Sequence, residues 1–527
     1  MTTRMILYNF IPGFSARFLE AVKEPLKIEH AEIIDGEKVQ VPAGFTYRLY
    51  DANALHYGDY QVDWNRLRPL DEEIVWRMAP WESMVLRVLD KLGKIGMRLR
   101  WAQLLDRRCL RNRGLLDSIE SYDLRKSIYL KHLRFWNHVI SEKDINLFIS
   151  TNIPHVGADY VIYGLCTLRK IPFLTFESIR TIGRVRALRD LEDTTLDVRE
   201  RFMALQTRYG ATPLGCSLTE GSERFWQTYT SVLKDPVPWY MTTPGFGFNH
   251  HMFGGLRMVT RQIRGIKSLL KGTMSPWGEL ARLVTEYRFA RRTKLLRRYY
   301  DSIAEEPRFD EKYVYVPLHY QPEISTAPLA GSYVDQKNIV DMLAAVIPDD
   351  VKVWVKEHPA QTCNGRSRLF YDDLSRMSKV RLIESRTSTF RLIDSAIAVA
   401  TCTGTVGWEA LMRGKPVLVF GEVCYNAAPG AFRIKTVEDC ERAVQNLVKT
   451  NGAGPSPGEM RIFLRALEEC SKPGEAGRFG ASLVEGVDFS HEESLNSICE
   501  LAVEALASMR ISTAPSRKFE ERSTKTK

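Results

Sequence analysis

The sequence lacks several patterns that would place it in a familiar class. Its nine cysteines are scattered over 527 residues, with no C-x-x-C pair and no zinc-ligand spacing. This predicts reduced thiols and no metal site. No stretch approaches the roughly 18 to 20 apolar residues of a membrane span. The apolar run at the start breaks at Pro12-Gly13 without a small-residue cleavage site, so we expect no signal peptide and a cytoplasmic protein.

The excess of positive charge, formally +10, includes one concentrated segment. Residues Arg288 to Tyr300, RFARRTKLLRRYY, interleave Arg and Lys with Leu, Phe and Tyr. The pattern is typical of the solvated face of a linker helix, or of a basic amphipathic helix that rests on anionic lipid. No nucleic-acid-binding motif accompanies it, so we expect no nucleic-acid partner. The inner-membrane surface is the anionic partner that the pattern suggests.

Length and periodicity predict several domains, because 527 residues exceed what a single core usually holds. Residues 1–185 mix strand-like runs with amphipathic helices and close on a βαβ unit, whereas 186–310 are mostly helical and basic. From 311 to 450 apolar strands alternate strictly with helices, which indicates a parallel, doubly wound sheet. Helical segments follow at 451–510, and 511–527 have the composition of a disordered tail.

The fold class expected from this pattern is α/β, with two Rossmann-like domains that face a cleft and a helical linker region between them. Ligands of open α/β sheets bind beyond the carboxyl ends of the strands. The motifs of interest are therefore those that directly follow predicted strands.

The strongest motif is ATCTGTVGWEALMRGKPVLVFG, Ala400 to Gly421. A buried strand is predicted to end at Thr401, and a Thr/Gly-rich turn leads into a helix that begins near Val406. The N–H groups and the dipole of a helix N-terminus favour an anion, and glycines let a phosphate approach the backbone. The turn is therefore a candidate phosphate site.

Four residues of this motif are candidate ligand contacts. Thr403 and Thr405 supply hydroxyl donors, Gly404 lies between them, and Glu409 follows about one turn into the helix, where it is placed to accept hydrogen bonds from a ribose. The same residues are ordinary choices for a helix cap and a tight βα turn. The motif is neither G-x-G-x-x-G nor a Walker A loop, so neither NAD nor ATP is indicated.

A second motif is WVKEHPAQ, Trp354 to Gln361. Pro359 lacks an N–H and ends the strand, which leaves Lys356 and His358 at its C-terminal end. Glu357 is expected to point the other way, because side chains alternate along a strand. A histidine here is also typical of a capping or core residue. We favour a ligand contact because the helix N-terminus described above is predicted at the same sheet edge.

A third motif is PLHYQPEISTAPLAG, Pro317 to Gly331, which follows the first strand of this domain. His319, Gln321 and Glu323 leave a buried strand and enter a Pro-rich loop without apolar periodicity. Three polar side chains at this place suggest a binding loop. A hydrophilic βα connection without a binding role has the same composition.

The segments LHYQPEISTAP, VKEHP and TGTVGWEALMRGKPVLVFG occur in this order and resemble the capsule polysaccharide biosynthesis proteins, the family that includes the bacterial β-Kdo transferases. The resemblance implies a GT-B glycosyltransferase whose second domain holds the donor and whose first domain holds the acceptor. Kdo is an acidic, eight-carbon keto sugar carried on CMP. The implied donor is therefore a CMP-activated acidic sugar, with no further cofactor.

The His-Pro motif is also similar to that of transferases that use CMP-sialic acid, in which the histidine contacts the nucleotide phosphate. By this resemblance His358 would hold the CMP phosphate, with Lys356 as a second contact. The turn from Thr403 to Thr405 would present preorganised donors to the developing charge. The implied acceptor is a glycan or a lipid-linked glycan, and capsule assembly proteins are implied partners.

The family's β-Kdo transferases retain anomeric configuration, which calls for a nucleophile in the acceptor domain. Asp159, in IPHVGADY, and Glu177, in LTFES, both lie near predicted strand ends of the first domain. His155 is one helical turn from Asp159, so the two side chains are able to share one face. Asp159 is also typical of a helix start.

Three other functions fit the same pattern. A CDP-glycerol-type polymer transferase shares the fold but usually carries a Ser-Ser pair where this chain has Thr-Gly-Thr. A UDP-sugar 2-epimerase-like enzyme also has a cleft between two Rossmann-like domains. A non-catalytic capsule assembly or export component would keep the nucleotide fold as a binding module.

Overall fold

A computed structural model describes residues 2–99, 122–230, 276–476 and 490–509, apart from positions 12, 37–38, 56–57, 59, 322 and 364. The predicted disordered tail, 511–527, lies outside the described residues. The described chain divides into two compact units. The first comprises the described parts of Met1–Leu92, Ser118–Thr194 and Glu468–Lys527, and the second those of Gly93–Asp117 and Thr195–Leu467.

The first unit is built on a seven-stranded sheet of order β13-β6-β5-β4-β1-β2-β3. Strands β1 to β5 pair in parallel, and β6 and β13 extend the sheet in antiparallel fashion. The strands are β1 (Thr3–Tyr8), β2 (Ile28–Asp35), β3 (Thr46–Asp51), β4 (Leu147–Ser150), β5 (Phe173–Ile179), β6 (Arg184–Leu188) and β13 (Lys472–Pro473).

Helices cover both faces of this sheet, as the alternation of β1 shows. Ile6 and Tyr8 face one core, whereas Met5 and Leu7 face the other. Both faces are apolar because both are buried. The helices of this part of the chain are α1 (Phe14–Val22), α2 (Ala52–Leu55), α3 (Glu72–Arg77), α4 (Ala79–Leu99), α5 (Tyr122–Glu142), α6 (Ala158–Leu168) and α16 (His491–Ser508).

The second unit contains a six-stranded, entirely parallel sheet of order β12-β11-β10-β7-β8-β9. Most residues of its four inner strands are buried, which explains their nearly continuous apolar sequence. The strands are β7 (Lys312–Pro317), β8 (Val351–Lys356), β9 (Val380–Leu382), β10 (Ala398–Thr401), β11 (Val417–Val419) and β12 (Ala431–Arg433).

Local sequence sets where several helices of the second unit begin. Thr436 and Asp439 form a capping box at α14, and the Ser388 hydroxyl accepts the Arg391 N–H at the start of α12. The helices are α7 (Leu196–Tyr209), α8 (Glu220–Thr230), α9 (Pro276–Ile303), α10 (Lys337–Val346), α11 (Arg368–Ser375), α12 (Thr389–Ser395), α13 (Thr405–Met412), α14 (Val437–Lys449) and α15 (Pro457–Glu469).

Two α/β units, each around a mainly parallel sheet, confirm the predicted fold class. The first unit extends to Thr194 and takes in the last described helix, α16, which packs on α1 and β6. Helix α15 packs in the second unit, where Phe463 contacts Trp408 and Phe202. Among the described helices, none has the length and apolar character needed to cross a bilayer.

Candidate functional site

Strand order places the candidate site of the second unit. Strand β7 pairs with β8 on one side and with β10 on the other, so β8 and β9 extend the sheet in one direction from β7, whereas β10 to β12 extend it in the other. Such a switch point opens a crevice at the carboxyl ends of the strands. The loops after β7, β8 and β10 carry the three predicted motifs, and all three end at this edge.

His319 joins the loops after β7 and β10. Its side chain is almost completely buried, and its Nε2 accepts the Thr403 N–H at 3.1 Å. Because Nε2 acts as an acceptor, the proton of the neutral ring is on Nδ1. The Gln336 side chain fixes the backbone on both sides, by accepting the His319 N–H at 2.7 Å and donating to its carbonyl at 3.3 Å.

His358 follows β8 and is partly buried. Its Nδ1 accepts the Ala360 N–H at 3.1 Å, which leaves the proton of the neutral ring on Nε2. The His358 ring lies 5.9 Å from the Tyr320 ring, measured between centroids. In both histidines a backbone N–H thus determines which ring nitrogen is a donor.

Burial keeps both imidazoles neutral. Desolvation lowers the pKa of His319 to about 3, and the neighbouring His358 and Arg366 lower it further. Desolvation lowers the pKa of His358 to about 4, with Arg366 and Lys356 as further causes. Near neutral pH these two side chains therefore offer hydrogen-bond donors without a positive charge.

Close packing explains the glycines of the Thr/Gly turn. A Cβ on Gly404 would lie 3.1 Å from Nε2 of His319, and one on Gly407 would lie 2.4 Å from the Tyr425 hydroxyl oxygen. That hydroxyl donates to the Gly404 carbonyl at 2.6 Å. The Tyr425 hydroxyl therefore leaves no room for a side chain at position 407, and a side chain at position 404 would crowd His319. Sequence reasoning linked the glycines to an approaching phosphate or to a helix cap in a tight βα turn, and it did not identify Tyr425.

The threonines of the turn hold it together. The Thr403 hydroxyl donates to the Ser325 carbonyl at 2.8 Å, and the Thr401 hydroxyl accepts the Gly404 N–H at 3.3 Å. Thr405 is the first residue of α13 and hydrogen-bonds Glu409. The Thr403 hydroxyl was predicted to contact a ligand, but it is engaged with the backbone of the neighbouring loop.

Gln321 and Glu323 also differ from expectation. The Gln321 amide donates to the Val334 carbonyl, and its oxygen accepts from Arg366, so its side chain holds the loop after β7. Glu323 is exposed, and its carboxylate accepts the Ser325 hydroxyl at 2.8 Å. Of the three polar residues predicted to form a binding loop, only His319 contacts the Thr/Gly turn.

Lys356 and Glu409 are both buried and lie close enough for the charge of each to affect the other. The Lys356 ammonium donates to the Thr387 carbonyl and, at 3.1 Å, to the Thr389 hydroxyl. Desolvation lowers the pKa of Lys356 to about 8. Desolvation raises the pKa of Glu409 to about 7, although the nearby charges of Arg413 and Lys356 act in the opposite direction. Because Glu409 is buried, it is better placed for a role inside the domain than for the predicted contact with a ribose.

Sequence reasoning missed Arg366, which lies in the loop before α11. Its side chain is buried and its Nε donates to the Glu357 carboxylate at 3.0 Å. Glu357 also accepts the Tyr371 hydroxyl at 2.7 Å and the His358 N–H at 2.6 Å. The Glu357 carboxylate is thus fully engaged with these three partners. Nothing in the local sequence pattern distinguishes Arg366 from other loop arginines.

In the first unit, Asp159 lies in the first turn of α6 and is completely buried. Its carboxylate accepts the backbone N–H groups of His155 at 2.8 Å, Val156 at 2.8 Å and Tyr160 at 2.7 Å. A carboxylate held by three N–H donors stabilises the turn before the helix. This geometry favours the helix-start role over that of a nucleophile.

Glu177 lies near the C-terminal end of β5, opposite Arg186 of β6. Arg186 donates from Nε to Oε2 of Glu177 at 2.8 Å, and its Nη2 lies 2.7 Å from the same oxygen as an ion-pair contact. The Glu177 side chain keeps 13% of its surface exposed, while that of Arg186 is completely buried. Glu177 is therefore paired with Arg186 and still keeps part of its surface accessible near the strand end.

A comparison with family models matches residues 320–436 to the capsule polysaccharide biosynthesis proteins. The match includes the loops that carry His358, Arg366 and the Thr/Gly turn. The resemblance drawn from the sequence is thereby confirmed for less than a quarter of the chain. No curated protein matches the chain.

Three solved structures are similar to this chain at low identity. The β-Kdo 2,7 transferase and the β-Kdo 2,4 transferase of Thermosulfurimonas dismutans KpsC are each 14% identical, with TM-scores of 0.26 and 0.23. The matches cover 72% and 61% of this chain and 90% and 79% of those chains. The UDP-GlcNAc 2-epimerase of Methanocaldococcus jannaschii is 12% identical, with a TM-score of 0.24 and coverages of 89% and 99%.

Proposed function

We propose that the protein is a glycosyltransferase of capsule or surface polysaccharide synthesis that takes an acidic, Kdo-like sugar from a CMP-activated donor. The observation that supports this most is the pair of neutral histidines at the switch point of the second unit. Nε2–H of His358 and Nδ1–H of His319 are both hydrogen-bond donors; His358 lies in the segment that matches the family, and His319 directly precedes that segment. The acceptor is a glycan or a lipid-linked glycan.

The chemistry of the donor suits these two residues. A CMP-sugar carries its sugar on one phosphodiester with a single negative charge, and cleavage of the sugar–phosphate bond places a second charge on the leaving CMP. Neutral N–H donors bind the phosphodiester without the desolvation cost of two buried cations. His358 donates to the phosphate, the start of α13 faces it with its N–H groups, and both stabilise the charge as it develops.

The acceptor-side carboxylate is the second part of the proposal. Of the two predicted carboxylates, Glu177 is the one whose charge is accessible, because Asp159 is enclosed by backbone donors. In a retaining double displacement, Glu177 attacks the anomeric carbon, CMP leaves, and the acceptor hydroxyl then displaces the carboxylate. Glu177→Gln is therefore expected to abolish transfer.

A nucleotide panel tests the donor. A ligand that binds only the folded protein at 100 times its Kd stabilises it by about 2.7 kcal/mol. We expect CMP to raise the Tm more than CDP, UDP or GDP at equal concentrations. Hydrolysis of a CMP-activated acidic sugar then separates an enzyme from a binding module. A larger shift with UDP or CDP would contradict the proposed donor, and CMP binding without turnover would favour the assembly component.

We also propose that the second unit rests on an anionic membrane surface through α9. Tyr287 and Leu295 are 66% and 52% exposed, and they alternate with exposed arginines such as Arg288 and Arg291. On the opposite side Tyr300 is buried against the sheet. The exposed face thus combines positive charge with apolar side chains, which is the pattern of an interfacial helix.

Sedimentation with lipid vesicles tests this surface. Each basic residue near an anionic surface contributes about 1 kcal/mol, and salt weakens the attraction. We expect binding to anionic and not to neutral vesicles, and a loss of about tenfold or more in Arg291→Glu/Arg292→Glu. Arg66→Glu changes an arginine that is 88% exposed in the first unit and is the control. Equal sedimentation with neutral and anionic vesicles would show that α9 is a solvated helix that does not bind an anionic membrane.

A further inference from the structure

Three separate segments of the second unit meet at the side chain of Arg366. Its Nε donates to Glu357 at the end of β8, and its Nη2 donates to the His319 carbonyl at 3.1 Å. Its Nη1 donates to the Gln321 side chain and, at 3.0 Å, to the Gly365 carbonyl. Each nitrogen of the guanidinium therefore has its own partner. A single side chain links the loop after β7 to the loop after β8.

Glu357 is the second half of this link. Its Oε1 accepts the His358 N–H at 2.6 Å, and its Oε2 accepts from Arg366 and Tyr371. The Glu357 N–H donates to the Tyr300 hydroxyl at 3.1 Å. The backbone of His358 is therefore attached, through one carboxylate, to the group that holds the backbone of His319. The side chains of both Glu357 and Arg366 are less than 10% exposed.

Close packing reinforces the link between the two loops. A Cβ on Gly365 would lie 2.3 Å from the Gln321 carbonyl oxygen, so the loop before α11 touches the loop after β7. The Gln321 N–H donates to the Gln361 side chain at 2.8 Å, and that side chain donates back to the Gln321 carbonyl at 3.1 Å. The two histidine loops thus share a continuous buried hydrogen-bond network.

Stability alone gives a weak reason for such a pair. Replacing a buried ion pair by apolar side chains of the same volume is often neutral or stabilising, whereas the geometry of the pair can specify one arrangement. Here the charged side chains of Arg366 and Glu357 hydrogen-bond to the backbone of the two histidines. We propose that Arg366, together with Glu357, is a positioning residue that fixes the separation of His319 and His358 and, by holding their backbone, keeps each ring against the N–H group that selects its tautomer. The inference rests on the proposed donor site and deepens it.

The choice of arginine follows from this arrangement. A guanidinium presents five N–H donors in a rigid plane, whereas the ammonium of lysine is a single point of charge on a flexible stem. Lysine at this position keeps the charge and reaches Glu357 or the loop after β7, but it cannot hold the carboxylate, Gln321 and the His319 carbonyl together. Arg366→Lys therefore separates the positioning role from the charge.

The test compares Arg366→Lys with Arg461→Lys. Arg461 also donates two nitrogens to one carboxylate, that of Glu223, in the same unit, but it contacts neither histidine loop. We expect Arg366→Lys to weaken CMP binding about tenfold, because a misplaced donor loses its alignment, and Arg461→Lys to leave it unchanged. Gln321→Ala removes one of the hydrogen bonds of Arg366 and should weaken CMP binding by less than tenfold. This variant replaces Arg366→Lys in the test if Arg366→Lys does not fold.

Ring ¹⁵N spectra of the histidines, recorded without ligand, report the tautomer of each ring. A loss of stability alone does not change these spectra while the protein stays folded. We expect the single tautomers of His319 and His358 in the wild-type protein to become mixtures in Arg366→Lys and to stay single in Arg461→Lys. Unchanged spectra in folded Arg366→Lys would overturn the inference whatever the protein binds. A wild-type protein that binds no CMP while the spectra change as expected would overturn the proposed donor and leave the positioning role standing.

Discussion

His358→Ala is expected to weaken CMP binding by about 1.5–3 kcal/mol, the range for a hydrogen bond to a charged group. The lost group is Nε2–H, the donor that the Ala360 N–H selects by occupying Nδ1. The pKa of His358 lies near 4, so the lost interaction is a neutral donor to an anion at any pH above about 5. Isothermal titration calorimetry with CMP measures the effect directly.

Two further variants sharpen this test. His358→Gln keeps an N–H donor on a longer side chain and should recover part of the affinity. His491→Ala changes an exposed histidine at the start of α16, in the other unit, and should leave the affinity unchanged. If a folded His358→Ala protein binds CMP as tightly as the wild type, the phosphate contact lies elsewhere.

Asp159→Asn is expected to destabilise the first unit by about 3 kcal/mol, since a buried N–H that loses a charged acceptor costs 1.5–3 kcal/mol. Both carboxylate oxygens accept backbone N–H groups, Oδ2 from His155 and Oδ1 from Val156 and Tyr160. The asparagine amide offers one acceptor oxygen and places an NH₂ group against at least one backbone donor. Denaturant unfolding measures the loss through a lower midpoint.

Asp123→Asn is the matched control for this change. Asp123 lies in the first turn of α5, in the same unit, and is exposed, so its loss should cost less than about 1 kcal/mol. If Asp159 were the nucleophile and had no structural role, Asp159→Asn would stop transfer without lowering the stability of the fold. An Asp159→Asn protein of wild-type stability without transfer activity would restore Asp159 as the catalytic carboxylate.

The sequence predicted the second unit more completely than the first. Its strands are continuous apolar runs and its helices carry recognisable caps, such as Thr436 and Ser388, so the succession of strands and helices along the chain followed from local signals. Strand β13 has only two residues and pairs with β6 at a distance of almost 300 positions. No local periodicity indicates such a pairing, because it depends on long-range packing.

The sequence indicated where the candidate site lies better than it indicated what each residue of the site does. Strand ends followed by polar residues located His319, His358 and the turn around Gly404, since parallel strands bring their ends to one edge. Which side chain faces the crevice depends on partners that are distant in sequence. Arg366, Tyr425 and Gln336 act across 17 to 47 positions, and only the folded chain brings them to the loops they hold.

Strand β13 and α16 have a consequence for synthesis on the ribosome. The second unit spans one nearly continuous stretch, Thr195–Leu467, which is complete before the segment from Glu468 onwards has been made. The first unit begins earlier but must wait for its last strand and helix. Until then β6 has no partner on its outer side, and α1 lacks the helix that covers it. The half of the protein that is translated first is thus the last to be finished, and its open sheet edge is exposed to wrong pairing while the chain grows.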